Sequence, residues 1–127
     1  MQNLIAVASG GAMGALARYG LSLFVQRKAG AGLPGAGTLA VNVLGCLVIG
    51  LLLGFVVERD GISERTRLFL VMGILGSFTT FSTFGFETVT MARGGQWLGA
   101  CVNVGLNVIL GLGAVVAGQL LARSWAA

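Results

Sequence analysis

The sequence predicts an all-α integral membrane protein with four transmembrane helices, and three observations carry that prediction. Of its 127 residues, 56% are hydrophobic and only 9% charged. The mean hydropathy is +0.93, more apolar surface than a soluble core can use. The apolar residues fall into four runs, each near the roughly 20 residues a helix needs to cross a bilayer. The segments between them, "QRKAGAGLPGAG", "ERDGISERTR" and "RGGQ", are short and rich in turn-forming or charged residues. Residues 1–127 therefore read as one transmembrane domain with no room for a soluble one.

The first span covers about residues 4–25. Its start lacks the basic n-region and small-residue cleavage site of a signal peptide, so it is expected to be retained. Arg18, in "GALARYG", falls inside it. A cation at that depth is costly unless it snorkels. It either faces an aqueous vestibule, where it raises the local anion concentration, or pairs with a carboxylate such as Glu87.

The second span covers about residues 38–57 and contains Asn42 in "TLAVNVLG". An amide there has two donors and an acceptor, fit to orient an anion or to cap a neighbouring helix. Gly10 and Gly14 in the first span, and Gly50 and Gly54 in the second, form GxxxG pairs. Such pairs serve close helix packing, within one chain or between copies.

The third span, about residues 68–91, holds the most unusual stretch, "GSFTTFSTFGFE". Five hydroxyls (Ser77, Thr79, Thr80, Ser82, Thr83) fall within seven residues and alternate with phenylalanines. In one continuous helix, Phe78, Phe81 and Phe84 would form an ordinary packing stripe. The flanks favour a break instead, because Gly73 and Gly76 precede a run of β-branched threonines. A break at membrane depth frees backbone carbonyls, tolerated only where protein or an ion satisfies them. Freed carbonyls suit a hard cation such as sodium, and hydroxyl donors suit a small anion. Aromatic rings are positive at their edges and can stabilise a partly dehydrated anion without trapping it, as conduction requires.

The fourth span, about residues 97–121, carries Asn103 and Asn107 one turn apart on one helix face. They are either interhelical hydrogen-bonding partners or the lining of a polar track.

Charge restricts topology and function. Four spans place Arg59, Arg65, Arg67 and Arg123 on one side of the membrane and Arg27, Lys28 and Arg93 on the other. The positive-inside rule acts through an imbalance in Lys and Arg, and here it is nearly absent. Insertion in both orientations, and an antiparallel pair with a two-fold axis in the membrane plane, are consistent with it. The net charge of +4 comes from scattered residues, not a basic stripe, so nucleic acid is not an expected partner. There is no histidine, and Cys46 and Cys101 lie in apolar runs, so neither a zinc site nor a disulfide framework is supported.

These residues bear a family likeness. "GGAMGALARYG", "GTLAVNVLG", "GSFTTFSTFGFET" and "NVGLN", in that order over four spans, resemble the Fluc (CrcB) fluoride channels of microbes. The resemblance implies an antiparallel, dual-topology homodimer in the cell (inner) membrane with two fluoride pathways. It implies passive export of cytoplasmic fluoride, which relieves fluoride toxicity. Phe81 and Phe84 look like the paired pore phenylalanines and Asn42 like the pore asparagine. Asn107 and Asn103, with Thr80, Ser82 and Thr83, look like the polar track, and Arg18 like the basic vestibule residue. A structural, untransported sodium ion is implied at the dimer centre, on the carbonyls of Gly76 and Thr79 from both subunits. The chain departs from the family pattern at Ser77, Phe78 and Gly85, where glycine, leucine and serine are frequent.

Other functions fit less well. A small multidrug transporter is also a short four-span protein, but it needs a titratable carboxylate in the membrane, typically in its first span, which here has no acid. A purely structural membrane subunit would use the polar ladder as interhelical glue and conduct nothing. An enzyme is disfavoured because no nucleophile–base pair or metal-ligand cluster is visible.

Overall fold

The structure, a computed structural model, describes residues 1–30, 32–59 and 62–126, without the side chains of 56–59 and 126. Asp60 and Gly61 of the middle loop, and the side chain of the loop cation Arg59, thus lie outside the described residues. The chain is all-helical where described: α1 (Gln2–Ala29), α2 (Ala36–Arg59), α3 (residues 64–78), α4 (Phe81–Arg93) and α5 (Trp97–Ala126). Helices α3 and α4 together make one span, Glu64–Arg93, and the described residues contain four spans of membrane length and hydropathy. The protein is therefore a multi-pass membrane protein.

Local chemistry sets the helix ends. α1 stops at Gly30, whose φ of 69° favours glycine and whose N–H returns to the Gln26 carbonyl. Arg27 and Lys28 sit in its last turn, complementing the negative end of the helix dipole. The Gln26 amide donates to the Gly30 and Leu33 carbonyls and accepts from the Gly37 N–H, holding the turn into α2. Ser63 caps α3 by accepting from the Thr66 N–H.

Two helix pairs form the protomer's interior: α2 on α5, and α1 on α3. Both rest on glycine. A Cβ on Gly14 would overlap the Ile74 carbonyl, and one on Gly10 the Phe69 carbonyl. Gly50 in α2 meets the Val115 carbonyl, and Gly118 in α5 meets the Leu47 carbonyl. Both GxxxG pairs thus pack within one chain: backbones approach closely where no side chain intervenes. Leu4, Ile5, Leu16, Leu98, Ile109 and Leu112 point outward, an apolar exterior suited to lipid.

The third span is irregular in two places. Leu68–Leu75 is π-helical, and the Gly76 N–H that follows reaches back to Val71, five residues away. The helix then breaks at Thr79 (φ −84°, ψ 156°) and Thr80 (φ −150°, ψ 116°), both extended. The interruption falls on the threonines and not on the preceding glycines. Gly73 is helical and packs closely on the α1 backbone at Gly10, and extended backbone is where β-branched residues are at ease. The break also divides the phenylalanines. Phe78 is buried at the end of α3, and Phe81 and Phe84 open α4.

Candidate functional site

Thr80 restarts the helix. Its hydroxyl accepts from the Thr83 N–H at 3.2 Å, an N-cap that begins α4 inside the membrane span. The same hydroxyl donates to Thr83 Oγ1 at 3.0 Å and lies 3.2 Å from Ser82 Oγ. Three hydroxyls therefore gather in the first turn of α4, at the positive end of its dipole. Thr80 itself is buried, whereas Ser82 and Thr83 are exposed on the protomer surface.

The cap and the break redirect two backbone donors. In a continuous helix the Thr80 N–H would serve the Gly76 carbonyl, and the Thr83 N–H the Thr79 carbonyl. Here the Thr80 N–H goes to Asn42 Oδ1 at 2.9 Å and the Thr83 N–H to the Thr80 side chain. The carbonyls of Gly76 and Thr79 are thus left without their helical donors at membrane depth. Both residues line a cavity of about 370 Å³, together with Asn42, Phe81, Phe84 and Asn107.

A chain of amides runs from the break across to α5. Asn42 Nδ2 donates to the Thr80 carbonyl at 3.3 Å and to Asn107 Oδ1 at 2.9 Å. Asn107 Nδ2 donates to the carbonyl and to Oδ1 of Asn103, at 3.0 and 3.2 Å. Asn103 Nδ2 donates to Thr88 Oγ1 at 2.9 Å, and that hydroxyl donates to the Phe84 carbonyl at 2.8 Å. Asn103 is buried, with Asn42 and Asn107 half-buried. The chain ends on a backbone N–H (Thr80) and a backbone carbonyl (Phe84), groups of fixed polarity. Every amide orientation between them follows from those ends.

The rings of Phe81 and Phe84 lie beside this chain, 5.4 Å apart and inclined at 60°, edge towards face. Phe84 is buried, whereas Phe81 is 83% exposed in the single chain. Hydroxyls, amides and ring edges thus converge on the break.

Other residues are placed differently. Arg18 stands apart on α1, half-buried, and is not among the residues lining the cavity. Glu87 Oε1 accepts from Thr38 Oγ1 at 2.7 Å, so a threonine of α2 fills the alternative role, partner to Glu87, that the sequence left open for Arg18. Thr38 and Thr88 were not singled out from the sequence. Thr38 sits one turn before Asn42 on the same face of α2, and Thr88 one turn after Phe84, and that spacing was the available signal.

Fold and site together define a class: a short four-span membrane protein whose third span breaks against a network of hydroxyls and amides. The chain belongs to the family described as CrcB-like protein, Camphor Resistance (CrcB), whose model matches residues 5–119. Similar proteins include one from Chloroflexus aurantiacus (strain J-10-fl), 46% identical with 97% of each chain covered. Others come from Maridesulfovibrio salexigens, 41% identical with the same coverage, and Hyphomonas neptunium, 44% identical and again covering 97% of each chain. All three carry the name Fluoride-specific ion channel FluC.

Proposed function

We propose that the protein is a fluoride-selective ion channel, not an enzyme, and that it exports cytoplasmic fluoride passively across the cell (inner) membrane and so relieves fluoride toxicity. The observation that carries this reading is the edge-inclined Phe81–Phe84 pair beside the hydroxyl and amide chain at the break. Many weak donors in series replace hydration stepwise, and none of them is a full cation that would hold the anion. Asn42, Thr80, Ser82, Thr83, Asn103 and Asn107 supply the polar groups, and Phe81 and Phe84 the ring edges. Arg18 draws anions to the vestibule.

Hydrogen fluoride, a weak and neutral acid, crosses lipid and ionises inside the cell. The trapped anion then leaves down its gradient, aided by an inside-negative potential. Such export needs no coupled energy source.

The working unit in this reading is an antiparallel, dual-topology homodimer. The near-balance of Lys and Arg on the two faces supports it. The exposure of Phe81 supports it too, since a ring flanking an ion path needs a second wall. At its centre, the carbonyls of Gly76 and Thr79 from both copies would hold a structural sodium ion. Loss of helical donors at these two carbonyls fits a hard cation that takes oxygen ligands. When bound, the ion would supply positive charge that ties the two breaks together.

The test is efflux from proteoliposomes loaded with potassium fluoride, started with valinomycin and followed by a fluoride electrode, with chloride in parallel. Rapid fluoride efflux without chloride efflux supports the reading. No fluoride efflux from verified dimeric protein returns it to a structural or transporter role.

A further inference from the structure

Four helix ends meet at one membrane face: the C-termini of α1 and α4 and the N-termini of α2 and α5. Two negative and two positive dipole ends offset one another there, so side chains set the charge of the face. Residues 26–37 and 92–98, which form it, contain Arg27, Lys28 and Arg93 and no Asp or Glu. The opposite face carries Arg59, Arg65, Arg67 and Arg123 against Glu58, Asp60 and Glu64. Lys and Arg alone make the two faces nearly alike, but the side-chain charge is +3 on the first and +1 on the second. Glu87 approaches the first face from within its span, with one oxygen on Thr38 and the other buried. Counted in full, it still leaves the face cationic.

The three cations are also unengaged. Arg27, Lys28 and Arg93 are exposed, and none of them makes a hydrogen bond or ion pair among the described residues. On the opposite face Arg65 donates to Gln2. The turn from α1 to α2, "AGAGLPGAG", has no polar side chain to shield them. Gln26 pins that turn, donating to the Gly30 and Leu33 carbonyls at 3.1 and 3.2 Å. Buried Gly35, with φ of 84°, seats it on α4, where a Cβ would stand 3.5 Å from Met91 Cε. The Met91 carbonyl accepts from the Gln96 N–H at 2.9 Å and closes the α4–α5 turn that carries Arg93. The two turns therefore pack into one surface. Leu33 and Trp97 are exposed on it, apolar and aromatic groups of the kind that sit where headgroups meet acyl chains.

We propose that this face is a docking surface for the headgroup of an anionic phospholipid, with Arg27, Lys28 and Arg93 attracting the phosphate and Leu33 and Trp97 meeting the lipid beneath it. Guanidinium groups match phosphate oxygens in pairs, and the lysine adds a point charge. A lipid also supplies an apolar chain for Leu33 and Trp97, which a soluble anion lacks. The surface belongs to each single chain and does not depend on fluoride conduction.

The tryptophans provide the test, because the chain has them only at 97 and 125, the two ends of α5 and so one at each face. Trp125→Phe and Trp97→Phe each leave a single reporter. Each full-length variant is placed in phosphatidylcholine vesicles holding brominated phosphatidylglycerol or, in parallel, brominated phosphatidylcholine, and quenching gives the preference between the two lipids at that face. Trp97 should report phosphatidylglycerol favoured at least about fivefold, the gain from one cation near an anionic surface. Trp125 should report less than about twofold, since acids offset the cations on its face. Raising the salt should weaken the preference at Trp97. Changing Arg27, Lys28 and Arg93 together to Gln should bring Trp97 to the level of Trp125, whereas Arg27→Lys with Arg93→Lys should keep the preference. Arg93→Gln alone should lower it partway, and serves if the triple variant does not fold. Equal preference at the two tryptophans overturns the proposal. So does a preference at Trp97 that survives the loss of Arg93 or of all three cations.

Discussion

Asn42 and Thr80 grip each other through two hydrogen bonds, with the Thr80 N–H donating to Asn42 Oδ1 at 2.9 Å and Asn42 Nδ2 donating to the Thr80 carbonyl at 3.3 Å. A side-chain amide of α2 thus stands in for the backbone partners that Thr80 lacks in its extended conformation. The break in the third span is therefore held from outside itself, and a polar residue deep in an apolar helix has a defined task.

Replacing Asn42 with leucine should leave a backbone N–H and a carbonyl of Thr80 unsatisfied in an apolar setting. The expected loss is about 1–3 kcal/mol per orphaned group, read as a lower melting temperature in detergent. Fluoride efflux should fall with it. An Asn42→Leu protein that melts like wild type would separate the break from this amide.

Thr80→Val removes the N-cap of α4 and the centre of the hydroxyl cluster, and about 1 kcal/mol of stability should go with it. Thr80→Ser keeps both functions and should retain most of the stability and the efflux. Equal behaviour of the two variants, in melting and in flux, would mean that the hydroxyl has no part in restarting the helix.

Phe81→Ile and Phe84→Ile should each reduce fluoride efflux by at least about tenfold, since few groups replace the ion's hydration at any one step. Their effects on folding should differ. Phe84 is buried at 9% exposure and Phe81 is 83% exposed in the protomer, so Phe84→Ile should lower the melting temperature of the protomer more. Wild-type efflux in both variants would sink the ring-edge account.

Gly14→Ala places a methyl group on the Ile74 carbonyl and forces α1 away from α3. The expected cost is roughly 1–3 kcal/mol, the usual range for overpacking. Gly20→Ala, on the same helix with nothing within 4 Å of the added carbon, is the control and should be neutral or slightly stabilising. The comparison is by thermal unfolding followed by circular dichroism.

Exhaustive exchange of sodium for a large organic cation should lower the melting temperature of the dimer and shift it towards monomer in cross-linking, with recovery on adding sodium back. A melting profile indifferent to the exchange would count against a cation on the Gly76 and Thr79 carbonyls.

The periodicity-free apolar runs were enough to read four spans, because crossing a bilayer is a matter of length and hydropathy that a window of sequence contains. The polarity of the third span was legible for the same reason: hydroxyls and amides in hydrocarbon need partners wherever they fold. Which partner each group takes was not legible. Glu87 reads from the chain as an ion-pair candidate for Arg18, yet it accepts from Thr38 on the neighbouring helix. The GxxxG pairs read more readily as packing within one chain than as dimer contacts, and the helix crossings turn both inward.

The sequence by itself determined the class: the composition, the four spans and the break-prone run of glycine and threonine follow from local physics and from the poor solvation of polar groups in lipid. Only the tertiary structure decided that the break falls on Thr79 and Thr80. It also decided that Asn42 completes the break and that one directed amide chain joins Thr80 to Phe84. Those outcomes depend on where α2 and α5 cross the third span, and a crossing is settled by side-chain packing between residues distant in sequence, which no local window contains.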